Sequence, residues 1–220
     1  MARRPAPAER LSRERIVDAA IDLADAEGID GVSMRRVAQR LGVDPMSLYH
    51  HVHDKGTLLD AMADAVIAQV VPHPDGDWAS ALRATVLSAR STMLRHPWAS
   101  RVIEARQAAT PAALRHIDTV LDILRRGGFS IALGHHALHV LGSRILGFSQ
   151  DLFDDSPDAR PAPELVALQA REWQGTHPRL AELALAADHD GGMGGCDDDQ
   201  EFAFSLDLII EGLDKRRVAT

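Results

Sequence analysis

SMRRVAQRLGVDPMSLYHHVHDKGTLLDAM, residues 33 to 62, decides the fold. After Ser33, a hydroxyl suited to cap a first turn, Met34, Val37, Ala38 and Leu41 recur at the helical period, and Gly42 stops the run where the chain must turn sharply. Asp44 and Pro45 then open a second short helix, whose Leu48 and Val52 face inward at i and i+4. Ala38 is small where the two helices must approach closely. Two short helices joined by a tight turn form a helix-turn-helix, whose second helix can enter a DNA major groove about 12 Å wide.

Working outward, residues 13 to 27 place Ile16, Ala20, Leu23 and Ala24 on one stripe opposite Arg15, Asp18, Asp22 and Asp25. Ser12 can cap this helix, and Gly28 is expected to end it in the left-handed conformation. Downstream, Asp54 can cap a helix carrying Leu58, Leu59, Met62, Val66, Ile67 and Val70, which is expected to reach the breaker run Pro72 to Gly76. That run is read as the boundary between a DNA-binding domain, residues 1–71, and a second domain, residues 77–220. Further helices are expected at about 77–95, 97–106, 111–126, 130–152, 164–174, 178–187 and 199–216. A proline-rich loop at 154–163 and a mobile acidic, glycine-rich stretch at 188–199 complete the reading. Nothing reads as a strand, so the fold class is all-α: an N-terminal helix-turn-helix domain followed by a helical one.

Composition agrees, since 220 residues with 45% hydrophobic but only 4% aromatic side chains suit helical cores of Ala, Leu, Val and Ile. The single cysteine, Cys196, can form no internal disulfide, and no stretch is long or apolar enough for a signal peptide or membrane span. A cytoplasmic protein with no membrane partner is expected. The net charge of -8 argues against a nucleic-acid partner until it is divided along the chain. Residues 1–56 hold nine Lys or Arg against nine Asp or Glu, so all of the negative excess lies beyond them. Phosphate contact needs a local positive face rather than a basic total.

The free face of the motif holds Pro45, Met46, Ser47, Tyr49, His50 and His51, with Lys55 beyond it and Ser33, Arg35 and Arg36 at the front of the preceding helix. Arg35 can pair bidentately with a guanine edge or a phosphate, while Pro45, Met46 and Ser47 can reach base edges and thymine methyls. Tyr49, His51 and Lys55 can donate to phosphates, and the amides around Asp54 to Thr57 offer a further anion site. A plain helical bundle with a merely solvated face shows the same patterning.

Residues 33–62, with their LGV turn and the LY-x-HV of the second helix, resemble the DNA-binding segment of the tetracycline-repressor (TetR) family. Asp77-Trp78, Gly128-Phe129-Ser130 and the closing LDLIIEGLDK are similar to the same family, so the resemblance covers nearly the whole chain. It implies a regulator, most simply a repressor, that binds a palindromic double-stranded DNA operator as a homodimer and is released by a small-molecule effector. It also implies a four-helix bundle between subunits, for which Leu141, Ile145 and Phe148 with Leu206, Ile209, Ile210 and Leu213 are candidate apolar stripes. Those stripes equally suit the subunit's own core. An effector pocket is implied in the second domain, with Thr85, Ala89, Trp98, Val120, Leu124, His135, Leu138, His139 and Gly142 as its lining. VIEARQA at 102–108 lacks the histidine with which tetracycline binders hold the drug's metal, and Val120 replaces a polar contact, so a different effector is expected.

Rival readings are weaker. His135 and His139 have a zinc-compatible spacing, but no Cys or firmly placed carboxylate completes a set, so no metal and no cofactor is expected. The stretch from Asp188 has Met193 where a calcium loop needs glycine and Asp199 where it needs Glu. No Ser/His/Asp set, phosphate loop or paired carboxylates suggests an enzyme. A DNA-binding activator that ignores small molecules remains the alternative.

Overall fold

A computed structural model describes residues 10–73, 75–106, 108–146, 163–186 and 198–218. The regular elements among these residues are all helical: α1 (Arg13–Glu27), α2 (Met34–Leu41), α3 (Pro45–Tyr49), α4 (Lys55–Ile67), α5 (Trp78–Arg95), α6 (Ala99–Glu104), α7 (Pro111–Arg126), α8 (Ile131–Leu146), α9 (Pro163–Trp173), α10 (Pro178–Ala186) and α11 (Asp198–Val218). A 3-10 turn, Ile29–Gly31, follows α1 and was not anticipated from sequence. The expected stretches 154–163 and 188–199 lie almost wholly outside the described residues, as do the tail of the helix expected to reach 152 and Phe148.

The caps are formed by the residues their chemistry favours. Ser12 Oγ accepts from the Arg15 amide and Ser33 Oγ from the Arg36 amide, each at 3.3 Å. At the end of α2, Gly42 takes φ 68° and ψ 31°, and the amides of Gly42 and Val43 donate back to Gln39 and Ala38. This paired closure requires a left-handed residue, which glycine adopts without cost. Gly28 differs from expectation: its φ of 76° is positive, but ψ of 164° is extended, because the chain leaves α1 directly into the 3-10 turn.

Two further expectations are corrected. The second motif helix ends at Tyr49 rather than near Val52, although the Val52 amide still donates to Leu48 O at 2.9 Å and keeps both side chains inward. The α4 helix stops at Ile67, short of the proline run. Beyond it the Val71 amide donates to Ser88 Oγ at 2.9 Å and the His73 amide to Thr85 Oγ1 at 3.1 Å, so α5 side chains replace the helical acceptors.

The N-terminal core gathers Ile16, Ala20, Leu23, Val37, Leu48, Val52, Leu58 and Met62, and Trp98, Ala99 and Val102 complete it from beyond the 72–76 run. Packing is therefore continuous across that run. By internal contacts the chain divides into two units, Met1–Gly147 and Phe148–Thr220. In the second, α9 and α10 pack on each other as a helical hairpin and α11 follows. In the first, a polar knot ties α1 to the α5–α6 junction: Asp25 accepts from the Trp98 indole at 2.6 Å, lies 2.9 Å from His96 Nδ1, and His96 Nε2 is 3.2 Å from Gln69 Oε1. A second tie runs from α4 to α7, where Asp64 Oδ1 accepts from the Ala112 amide at 2.7 Å.

Candidate DNA-reading face and ligand cavity

Leu48 and Val52 are fully buried, and they hold the opposite face of α3 outward. On that face Met46 is 68% and Tyr49 42% exposed, His50 and His51 are exposed, and Pro45 and Ser47 are half-buried. Met46 and Tyr49 are therefore not core residues, and they sit on a helix start whose Asp44 carboxylate accepts from the Met46 amide at 2.8 Å. Arg35 is exposed at the front of α2 and makes no ion pair among the described residues, and Lys55 is exposed at the start of α4. Six candidate contacts are thus exposed: Arg35, Met46, Tyr49, His50, His51 and Lys55.

Other candidates are committed elsewhere. Arg36 donates to Gly31 O at 3.0 Å and pairs with Glu27, pinning the 3-10 turn to α2. Its guanidinium is a structural tie, because the unanticipated turn brings both acceptors within reach. Ser33 is half-buried and its hydroxyl oxygen is occupied as the α2 cap. The anion site expected at the start of α4 is already filled: Asp54 Oδ1 accepts from the Thr57 amide at 2.7 Å, and the Thr57 backbone and hydroxyl together hold the Asp54 carboxyl below its ordinary range. A resident carboxylate repels phosphate there. His51 stands near Glu14, whose carboxyl is kept low chiefly by its own backbone amide and by Ser12.

A cavity of about 410 Å³ lies among α4, α5, α6, α7 and α8. Its walls are Ile67 at the end of α4 and Val70 beyond it, Val86, Ala89 and Met93 of α5, Ile103 of α6, Ala113, His116, Ile117 and Val120 of α7, and His135, Leu138, His139, Leu141, Gly142, Ile145 and Leu146 of α8. Such a volume falls within the range of small-molecule sites, roughly 300–1,000 Å³. Burial pushes the His116 imidazole below its usual pKa, which favours the neutral ring. Among the described residues no cluster of three or more His, Cys, Asp or Glu is placed to hold a metal ion.

Of the residues expected to line a pocket, Ala89, Val120, His135, Leu138, His139 and Gly142 do so. Three do not. Trp98 belongs to the N-terminal core, where its indole N–H is taken by Asp25. Thr85 is fully buried with its hydroxyl oxygen accepting from His73, and Leu124 is fully buried beside Gly134 of α8. His116, Met93 and Ile103 were missed, although Ala113, His116, Ile117 and Val120 form a readable i, i+3, i+4, i+7 stripe. Among the candidate subunit-contact residues, Leu141 and Ile145 line the cavity, and Leu206, Ile210 and Leu213 are buried within the chain, with Ile209 half-buried. The exposed apolar positions on α11 are instead Phe204, at 62%, and Leu208, at 54%.

A short helix held out from a helical core, with an apolar cavity in the same unit, defines a helix-turn-helix DNA-binding regulator. Residues 16–62 match the family model for bacterial regulatory proteins of the tetR family, and residues 71–217 match the tetracyclin repressor-like C-terminal domain. The chain belongs to the TetR family of bacterial DNA-binding transcriptional regulators. It is 33% identical to the transcriptional repressor DrrR1 of Streptomyces coeruleorubidus, over 96% of this chain and 81% of that protein. It is 30% identical to the class C tetracycline repressor of Escherichia coli, over 96% and 94% of the two chains. Among solved structures, ActR of Streptomyces coelicolor in complex with actinorhodin superimposes with a TM-score of 0.75 at 29% identity, covering 94% of this chain and 99% of that one.

Proposed function

We propose that this chain, as a homodimer, represses transcription from a palindromic operator and lets go when a small, mostly apolar molecule other than tetracycline enters the cavity. Met93 and Ile103 carry this reading: both line the cavity and both pack against the N-terminal core that holds α3. A ligand pressing on either side chain presses on the support of the reading face, so its binding energy differs between DNA-competent and released arrangements. The division of labour follows, with residues 1–71 as the DNA-binding part and 77–220 as the ligand-binding and dimerising part. The test is an electrophoretic shift of the chain's own upstream region, with compound pools added. Release by a pool supports the reading; binding that no compound changes favours a ligand-independent regulator and sinks it.

Within the reading face, roles separate by chemistry. Arg35→Ala is expected to cost about 1–3 kcal/mol in operator binding and to relax base preference at one position in each half-site. Lys55→Ala is expected to weaken all sequences alike and to lower the slope of log affinity against log salt by about one. Titrations over a salt series, with operator and scrambled duplex, distinguish the two, and identical behaviour refutes the assignment.

The dimer face is placed on α11 at Phe204 and Leu208, one turn apart and both exposed. Phe204→Glu is expected to shift the protein toward monomer in analytical ultracentrifugation and to weaken operator binding at least tenfold, since a single head reads too few base pairs. A dimer undisturbed by this charge places the interface elsewhere.

A further inference from the structure

Among the described residues, the polar side-chain nitrogens and oxygens that line the cavity are all imidazole: His116 on α7, and His135 and His139 on α8, the latter two with ring centroids 4.6 Å apart and edge to face. Among the described residues, none that lines it carries a carboxylate, an ammonium or a guanidinium. An ammonium ligand would be buried without an anion and a carboxylate ligand without a fixed cation, either at high cost. A bare hydrocarbon would fill the apolar walls but strip water from the His116 imidazole and leave its acceptor nitrogen unmet.

Resting on the reading that this cavity is the effector site, we infer that it selects an uncharged aromatic molecule bearing a phenolic or enolic hydroxyl, which donates to His116. The neutral imidazole offers one acceptor nitrogen and one donor, so a hydroxyl is matched where a cation is not. Burial, which keeps His116 in its neutral form, supports the same match. A phenol itself titrates near about 10 and so enters without charge at neutral pH. His135 and His139, exposed at the α8 edge of the cavity, present the edge-to-face geometry that flat rings prefer. The apolar remainder, Val86, Val120, Leu138 and Ile103 among it, takes the ring body.

The experiment measures dissociation constants of the full-length protein, by calorimetry and thermal shift, for a naphthol, its methyl ether, naphthoate and naphthylmethylammonium. The naphthol is expected to bind about fivefold tighter than the ether, the size of one neutral hydrogen bond, with both ions weaker still. In His116→Phe, and in His116→Leu made in parallel, the gap between naphthol and ether is expected to close. The ranking on the unaltered protein is decisive without either variant: equal binding of naphthol and ether, preference for an ion, or no binding at all overturns the inference. Gly142→Leu, which puts bulk into the cavity, separates this failure from that of the underlying reading. Equal binding that Gly142→Leu abolishes leaves the cavity as the ligand site and removes only the hydroxyl preference. Binding that Gly142→Leu does not touch removes both.

Discussion

Leu48→Ala is expected to destabilise the protein by about 2–5 kcal/mol and to abolish operator binding together. Leu48 is fully buried in the N-terminal core with Val37, Val52 and Leu58. It is also the main anchor of a helix of only five residues, too short to persist without tertiary packing. The cavity left by truncation therefore acts twice, on the core and on the orientation of the reading face. Urea unfolding gives the first effect and a fluorescence-anisotropy titration with operator the second. Met46→Ala, at a 68% exposed position, is the control: stability within about 0.5 kcal/mol of the parent, altered sequence preference only. If Leu48→Ala unfolds and binds as the parent does, α3 is not held in the way described.

Gly142→Leu is expected to raise stability while making the regulator deaf to its effector. A glycine in the interior of α8 costs roughly 0.5–1 kcal/mol relative to a good helix former, and a β-carbon built there meets no atom within 4 Å. Nothing in the protein forbids a side chain, yet the position borders the cavity. Filling that space should cost an incoming ligand about 1–3 kcal/mol, a loss of roughly fivefold to 150-fold in affinity. A higher melting temperature with operator that stays bound at effector concentrations releasing the parent is the expected pair of results. A stabilised variant that responds normally places the effector elsewhere.

Much of the fold was legible because it is written in local chemistry. Ser12, Ser33, Asp44 and Asp54 precede helices and cap them, and the apolar stripes of α1, α2 and α4 supply most of the residues those helices bury. What escaped depends on contacts distant in sequence. Arg36 looks like a free cation until the 3-10 turn brings Gly31 O and Glu27 to it. Trp98 looks like a ligand platform until Asp25, far back on α1, accepts a hydrogen bond from its indole N–H. Helical periodicity finds an apolar face but not what covers it. Leu206, Ile210 and Leu213 formed the conspicuous stripe on α11 and are covered within the chain, while the less regular Phe204 and Leu208 are the ones left bare. The cavity was half legible for the same reason: α8 positions follow from its phase, but the contribution of α7 through His116 depends on how the two helices pack.

The knot at Asp25 equips the molecule with an optical gauge of its own. Of three tryptophans, Trp98 sits where α1, the α4 end and the α5–α6 corner meet, only 6% exposed and with its ring nitrogen held by a carboxylate. Trp78 is wedged against Phe129, with ring centroids 4.7 Å apart, and Trp173 closes α9 in the other unit. Any loosening of that corner wets the Trp98 indole and reddens its emission. With single-tryptophan versions, the arrival of an effector can be watched at the seam beneath the DNA-reading helices without a dye, and before the operator sequence is known.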